Sequence, residues 1–162
     1  GKLNHLWVDL FILDELPDKK SKASLTLFLH KAIYGLAMGH RYQVDYSKYG
    51  KKEKLMIGGL AAAGKLLPMQ FIFFLQERLA VKYNGKKNKY YYYSNYQPDY
   101  LYVKVERKWC KEVTELEFEG RSYMAPADSD GVLKEIYGDY MKLPPVEQRV
   151  PSHSSMEIQI YE

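Results

Sequence analysis

A single cysteine, Cys110, excludes an internal disulfide framework and a zinc site built from cysteines. It fits a reducing compartment, a trait that disulfide-free secreted proteins share. No run of about 20 clean apolar residues is present, as a membrane-spanning helix would need. The nearest approach, Leu55–Leu75, is interrupted by Lys65 and Pro68 and carries Gly58, Gly59 and Gly64. It reads as buried helix and is compatible with peripheral membrane contact. No secretory signal pattern is visible. A Gly-rich phosphate loop, a GxSxG elbow, an HExxH pair and internal repeats are all missing, which removes the commonest nucleotide-binding, hydrolase and zinc-protease readings.

What is present points to a globular chain. Its 162 residues, 46% of them hydrophobic, suit one domain with a sizeable core. The net charge of +4 is a mild excess. It suits phosphate-bearing or membrane-surface partners and falls far short of a histone-like signal. Sixteen tyrosines stand against two tryptophans and six phenylalanines. Tyrosine offers flat apolar area plus a hydroxyl, which fits sugar, base or interface contacts as well as an ordinary core.

Leu3–Leu13 is a continuous apolar run rich in aromatic and β-branched residues, so it predicts a strand buried on both faces. Alternation puts Trp7, Asp9, Phe11 and Leu13 on one face. An ionised Asp9 in such a strand is costly without a partner. Two readings follow: a buried carboxylate paired with arginine or capping a loop, or a metal ligand at the mouth of a cleft. Asp14 to Asp18 ends the strand. Ser21 or Ser24 then caps a helix running to about Met38. Leu25, Phe28, Leu29, Ala32, Ile33 and Leu36 recur on it at helical spacing as one apolar face, and Gly39 is its stop. His30 and His40 lack metal-like companions and read as structural or surface residues.

Arg41–Lys54 is polar and turn-like. Helical stretches follow at Leu55–Leu67 and Met69–Lys82, with Pro68 in the first turn of the second. Together they predict a helical hairpin, with Phe71, Phe74, Leu75, Arg78 and Leu79 along one side of its second arm. Asn84-Gly85 marks a turn. Lysines 86, 87 and 89 then precede Tyr90–Tyr93 and further tyrosines to Tyr102. Single-strand binders interleave cationic and stacking residues. Here the lysines sit in one turn and the tyrosines run consecutively, so the expectation is no nucleic acid.

Lys108–Phe118 begins irregularly and ends strand-like over Val113–Phe118. Glu119-Gly120 turns it into Arg121–Met124 as a hairpin. Asp128, Ser129 or Asp130 caps a helix over Gly131–Tyr137, Gly138 ends it, and Pro144-Pro145 prevents its continuation. Met156–Tyr161 reads as an edge strand or a frayed end.

Two blocks carry a resemblance. The first is Asn4 to Asp14, read NHLWVDLFILD, followed by Leu16-Pro17-Asp18. The second comprises Phe118-Glu119-Gly120, Ala125-Pro126, Leu133, Tyr137 to Met141, Leu143-Pro144-Pro145 and Arg149. Together they resemble the LicD family, phosphorylcholine-transferase relatives that include the fukutin-related proteins. Residues 19–105 match it only in general character. The resemblance implies an α+β, partial nucleotidyltransferase-like fold with a small sheet and a helical insertion. It divides the single domain, residues 1–162, into a metal-strand block (1–18), a variable helical and Tyr-rich insertion (19–105) and a C-terminal block (106–149).

By the same resemblance, the chain is part of a phosphotransferase that moves phosphocholine or a phospho-polyol from a CDP-activated donor, such as CDP-choline, to a cell-surface glycan or lipid-linked glycan. The glycan belongs to lipopolysaccharide or teichoic acid, and the setting is the cytoplasm at the inner face of the membrane. Mg²⁺ or Mn²⁺ is the implied cofactor, and Asp9 matches the family's third metal-binding carboxylate, which makes it the expected catalytic and metal residue. The family's Asp-rich motif stands upstream of this strand, so the chain reads as an N-terminally truncated piece, inactive alone. Ile12 replaces the family's proline, no aromatic stands near Ser129, and a paired histidine is reduced to His153. The competing expectations are a degenerate relative, or a non-catalytic glycan- or nucleotide-binding module using Tyr90–Tyr102.

Overall fold

The computed structural model describes residues 10–41, 46, 47, 49–95, 98–101 and 103–149. Its elements are β1 (Leu13–Leu16), α1 (Lys20–Ala37), α2 (Lys51–Gly64), α3 (Met69–Ala80), β2 (Tyr90–Tyr93), β3 (Val105–Glu106), β4 (Val113–Phe118), β5 (Arg121–Pro126) and α4 (Ser129–Tyr137). Helices and small antiparallel sheets are segregated, so the expected α+β class is what the chain adopts.

One sheet has the order β1-β2-β3 and the other is the β4-β5 hairpin. Leu13 pairs with Tyr93 and Leu16 with Tyr90, which sets Asp14 opposite Tyr92 and Glu15 opposite Tyr91. Strand β1 begins at Leu13, so Asp14 and Glu15, expected to end a strand, lie inside one. The expected Leu3–Leu13 strand lies outside the described residues up to Asp9, and Leu10 to Ile12 are not strand. Two acids are tolerated in β1 because each carboxylate collects several donors, which offsets the loss of water.

Helix α1 covers the expected range, with two corrections. Its N-cap is Lys19, without a side-chain cap bond, so neither Ser21 nor Ser24 caps it. Its buried residues are Ala23, Thr26, His30 and Gly35, while Leu25, Phe28 and Leu29 are exposed. The helix can present its small and polar side inward because its polar groups are satisfied, one within the helix and one across the core. Thr26 Oγ1 donates to the Lys22 carbonyl over 2.9 Å, and His30 Nε2 lies 2.7 Å from the Tyr92 hydroxyl.

Helix α2 packs across α1 where two glycines allow the backbones to touch. A Cβ on Gly64 would stand 1.9 Å from the Leu36 carbonyl oxygen, and one on Gly39 would stand 2.2 Å from that of Ala61. Gly39 therefore serves close approach rather than helix termination. Helices α2 and α3 both pack on α1, and the chain direction changes by 115° between them, a corner rather than the expected closed hairpin. Pro68 is the N-cap of α3, one position before its first turn. On α3 the buried residues are Ile72 and Ala80. Phe71 and Phe74 stack on the outer surface instead, with the Arg78 guanidinium over Phe74, so the expected apolar stripe exists but faces out.

The core beneath this layer is Leu16, Ala23, Tyr92 and Leu101, with Leu27 and Tyr90 against it. The expectations for the hairpin and the helix after it hold, with α4 beginning two residues early at Ser129, while Met156–Tyr161 lies outside the described residues. Glu119 and Gly120, both at positive φ, turn β4 into β5. Asp128 caps α4 by accepting from the Gly131 N–H over 3.0 Å, and Gly138 at φ +67° ends it.

Candidate functional site

Strand β1 sends its two carboxylates to opposite faces of the sheet. On the helix side, Asp14 accepts hydrogen bonds from Asn84 Nδ2 over 2.5 Å and from the Ser94 hydroxyl. Beside it, His30 meets Tyr92 edge to face as well as through the hydroxyl. Burial holds the His30 pKa down at about 4, against a smaller upward pull from Asp14. Burial and then the Asp14 charge push the Tyr92 hydroxyl well above its usual range. At neutral pH the His30 imidazole and the Tyr92 phenol of this cluster are both neutral.

On the other face, Glu15 ties the turn after α3 to the strand. Its carboxylate accepts from the Gly85 N–H at 3.1 Å, from Asn88 backbone and side-chain nitrogens at 3.0 Å each, and from the Arg107 guanidinium. Burial raises the Glu15 pKa, but the Asn88 and Arg107 hydrogen bonds outweigh it and leave the group below its ordinary value. Arg107 also donates from Nε to the Asn88 carbonyl over 2.8 Å and stacks on Tyr91. Asn84 completes the tie by accepting from the Glu15 N–H over 2.8 Å.

Next to Asp14 opens a cleft of about 850 Å³ between β1, α1 and α3. Asp14, Ser94 and Asn95 line it on the strand side; Phe73 and Gln76 line it from α3, and Arg41 from the extended chain beyond α1. Its size and mixed lining suit a small-molecule ligand. Arg41 is its exposed cation, held by a 2.7 Å hydrogen bond to the Tyr34 hydroxyl and stacked over that ring. His40 also lines it, but its Nε2 lies 3.0 Å from both the Gly64 and Leu67 carbonyl oxygens and is committed to them. Among the described residues, the cleft thus offers binding groups and no nucleophile with an adjacent free base.

Asp9, expected to be the metal ligand, lies outside the described residues, as does His153. Ile12, three positions further along the chain, lines the cleft. Among the described residues no group of three or more His, Cys, Asp or Glu side chains could hold a metal ion, and both Asp14 oxygens already accept from protein donors. The described residues alone therefore do not fit a metal centre. Sequence reasoning missed Asp14, Ser94, Asn84 and Arg41. The usable signal was the acidic pair Asp14-Glu15 next to an apolar run. Of the tyrosine segment, Tyr92 is fully buried, Tyr91 lies under Arg107 and Tyr90 lies beneath Lys89, while Tyr96 and Tyr102 lie outside the described residues.

The fold and cleft define a small α+β chain with an open cleft of mixed polar and apolar lining beside Asp14. No family model matches the chain, and no solved structure does. It is similar to the lipopolysaccharide cholinephosphotransferase LicD of Haemophilus influenzae, 27% identical over 164 aligned residues that cover 94% of this chain and 57% of that protein. The chain is a distant relative of LicD, and it spans a little over half of that relative's length.

Proposed function

We propose that this chain is part of a phosphotransferase that moves phosphocholine, or a related phospho-polyol, from a CDP-activated donor to a cell-surface glycan such as lipopolysaccharide. The observation carrying this reading is the alignment of 94% of the chain with a cholinephosphotransferase. The cleft beside Asp14 is consistent with it: Arg41 supplies a cation for a phosphate-bearing ligand, and Phe73 and Met69 supply apolar wall. A nucleotidyltransferase-like framework belongs to the same reading.

Mg²⁺ or Mn²⁺ is the cofactor in this proposal, with Asp9 as one carboxylate ligand. Such a cation offsets charge on phosphate oxygens. The chain's own residues have the task of holding the donor against Arg41 while Asp14, Ser94 and Asn84 keep the cleft wall rigid.

The test is transfer of phosphocholine from CDP-choline to a lipopolysaccharide acceptor by the protein as it occurs in the cell. Asp9→Asn should lower turnover on the order of a hundredfold or more while circular dichroism is unchanged. Isothermal titration of Mn²⁺ into both proteins gives a readout independent of turnover. Unaltered turnover and Mn²⁺ affinity in the variant would sink the reading.

A further inference from the structure

Between Lys54 and Glu77 the sequence carries one charge, Lys65. In a helix packed on one side only, such a stretch should place polar residues outward. Helix α2 does the reverse of that expectation. Its inward side is Ala61 and Gly64, while Leu55 is 81% exposed and Leu66, just past its end, is 86% exposed. Met56, Ala62 and Ala63 are exposed with them, and a Cβ on Gly59 would meet nothing. Past the corner, Phe71 and Phe74 are exposed too and stack on each other.

The charges that flank the exposed face of α2 are lysines, with one acid among them. Lys51, Lys52 and Lys54 stand at the start of α2 and Lys65 at its end, all exposed and none with an acidic partner among the described residues. Three lysines at the positive end of a helix dipole oppose its stability, so helix formation does not explain them. The nearby acid, Glu53, is turned away: it accepts from the Gly50 N–H over 2.8 Å and lines the groove between α1 and α2.

No single helix among the described residues is long and apolar enough to cross a membrane. The two arms pass that test only together, bent by 115°. A helix with one exposed apolar face, flanked by lysines at both ends, has the composition of an interfacial element.

We propose that the outward face of α2 and the Lys65–Pro68 corner lie in the headgroup layer of an anionic bilayer. Leu55, Met56 and Leu66 enter the acyl boundary, and the four lysines extend along it to lipid phosphates. A second copy is the weaker occupant, because self-pairing would bring lysine-only margins together. The proposal stands apart from the transferase reading and survives or fails without it.

The test is co-sedimentation of the full chain with phosphatidylcholine vesicles, with and without phosphatidylglycerol, over a salt series. Binding should require the anionic lipid and weaken with salt. Lys51→Glu/Lys52→Glu/Lys54→Glu and, separately, Leu55→Asp/Leu66→Asp should each lower the partition coefficient on the order of tenfold or more. All five positions are exposed, and circular dichroism verifies that the variants fold. Equal binding to neutral vesicles, or no binding at all, overturns the proposal. So does loss in the lysine variant alone, which would mean adsorption without insertion. Concentration-dependent dimerisation abolished by Leu55→Asp/Leu66→Asp would assign the face to a second copy instead.

Discussion

The β1-β2-β3 region and the β4-β5-α4 unit are held together by opposite means. The first is knit by contacts between residues far apart in sequence. Glu15 reaches Gly85, Asn88 and Arg107, and Asp14 reaches Asn84 and Ser94. The second is built from neighbours. A two-residue turn closes a hairpin whose strands are exposed through most of their length, an aspartate caps the helix that follows, and Gly138 stops it. It docks on the rest at few points, chiefly Gly131 against the Trp109 ring and Glu135 accepting from the Lys104 N–H. Buried polar ties concentrate stability in single residues, whereas local punctuation spreads it thinly.

That contrast can be broken or sharpened. The largest effect should come from Arg107→Ala, which leaves the buried Glu15 carboxylate without its cation. We expect a loss of about 3 kcal/mol in urea unfolding, less in Glu15→Gln/Arg107→Ala, where no charge is stranded. If Arg107→Ala costs under about 1 kcal/mol, the network is an ornament of the fold rather than its tie.

The next effect is set by pH. His30 titrates at its ordinary 6.5 in the unfolded chain and near 4 when folded. The unfolded state therefore binds the proton first as pH falls. Stability contributed by the neutral imidazole is complete above pH 6.5 and is lost progressively down to pH 4, roughly 3 kcal/mol in total. His30→Gln should flatten that part of the stability profile; an unchanged slope would show that another group carries it.

In the C-terminal unit the effects should be smaller. Asp128→Ala removes one cap bond and should cost about 1 kcal/mol, seen as faster amide exchange confined to α4. Phe118→Ser, on an exposed strand end, should change stability by less than about 0.5 kcal/mol. A larger loss would mean that the hairpin face is covered in solution.

The same division explains what the chain betrayed in advance. The Glu119-Gly120 turn, the Asp128 cap and the Gly138 stop are signals contained within a few residues, and each was readable. Helix positions followed from periodicity, but the side that α1 buries did not. Its leucines and Phe28 outweigh Thr26 and His30 in any hydropathy count, yet His30 has a buried tyrosine 62 positions away to bond. Asp14 and Glu15 likewise looked like strand-ending residues, because their donors arrive from beyond position 83. Of the candidate site, Asp9 came from its place in an apolar run and from family resemblance, and the Asp14 cleft from the structure.

Asn84 gives the tie around β1 a chemical clock. An asparagine followed by glycine loses ammonia when the next backbone nitrogen attacks its side-chain amide, since glycine puts no bulk in the way. Here that nitrogen, on Gly85, is donating to Glu15, while the Asn84 amide is occupied by Asp14 and the Glu15 N–H. Ageing at this bond is therefore restrained for as long as the strand keeps its partners. Once it occurs, it sets a new carboxylate beside Asp14 and Glu15, and like charges then push apart what the amide had joined. The accumulation of the deamidated form is a slow record of how often this part of the molecule has come open.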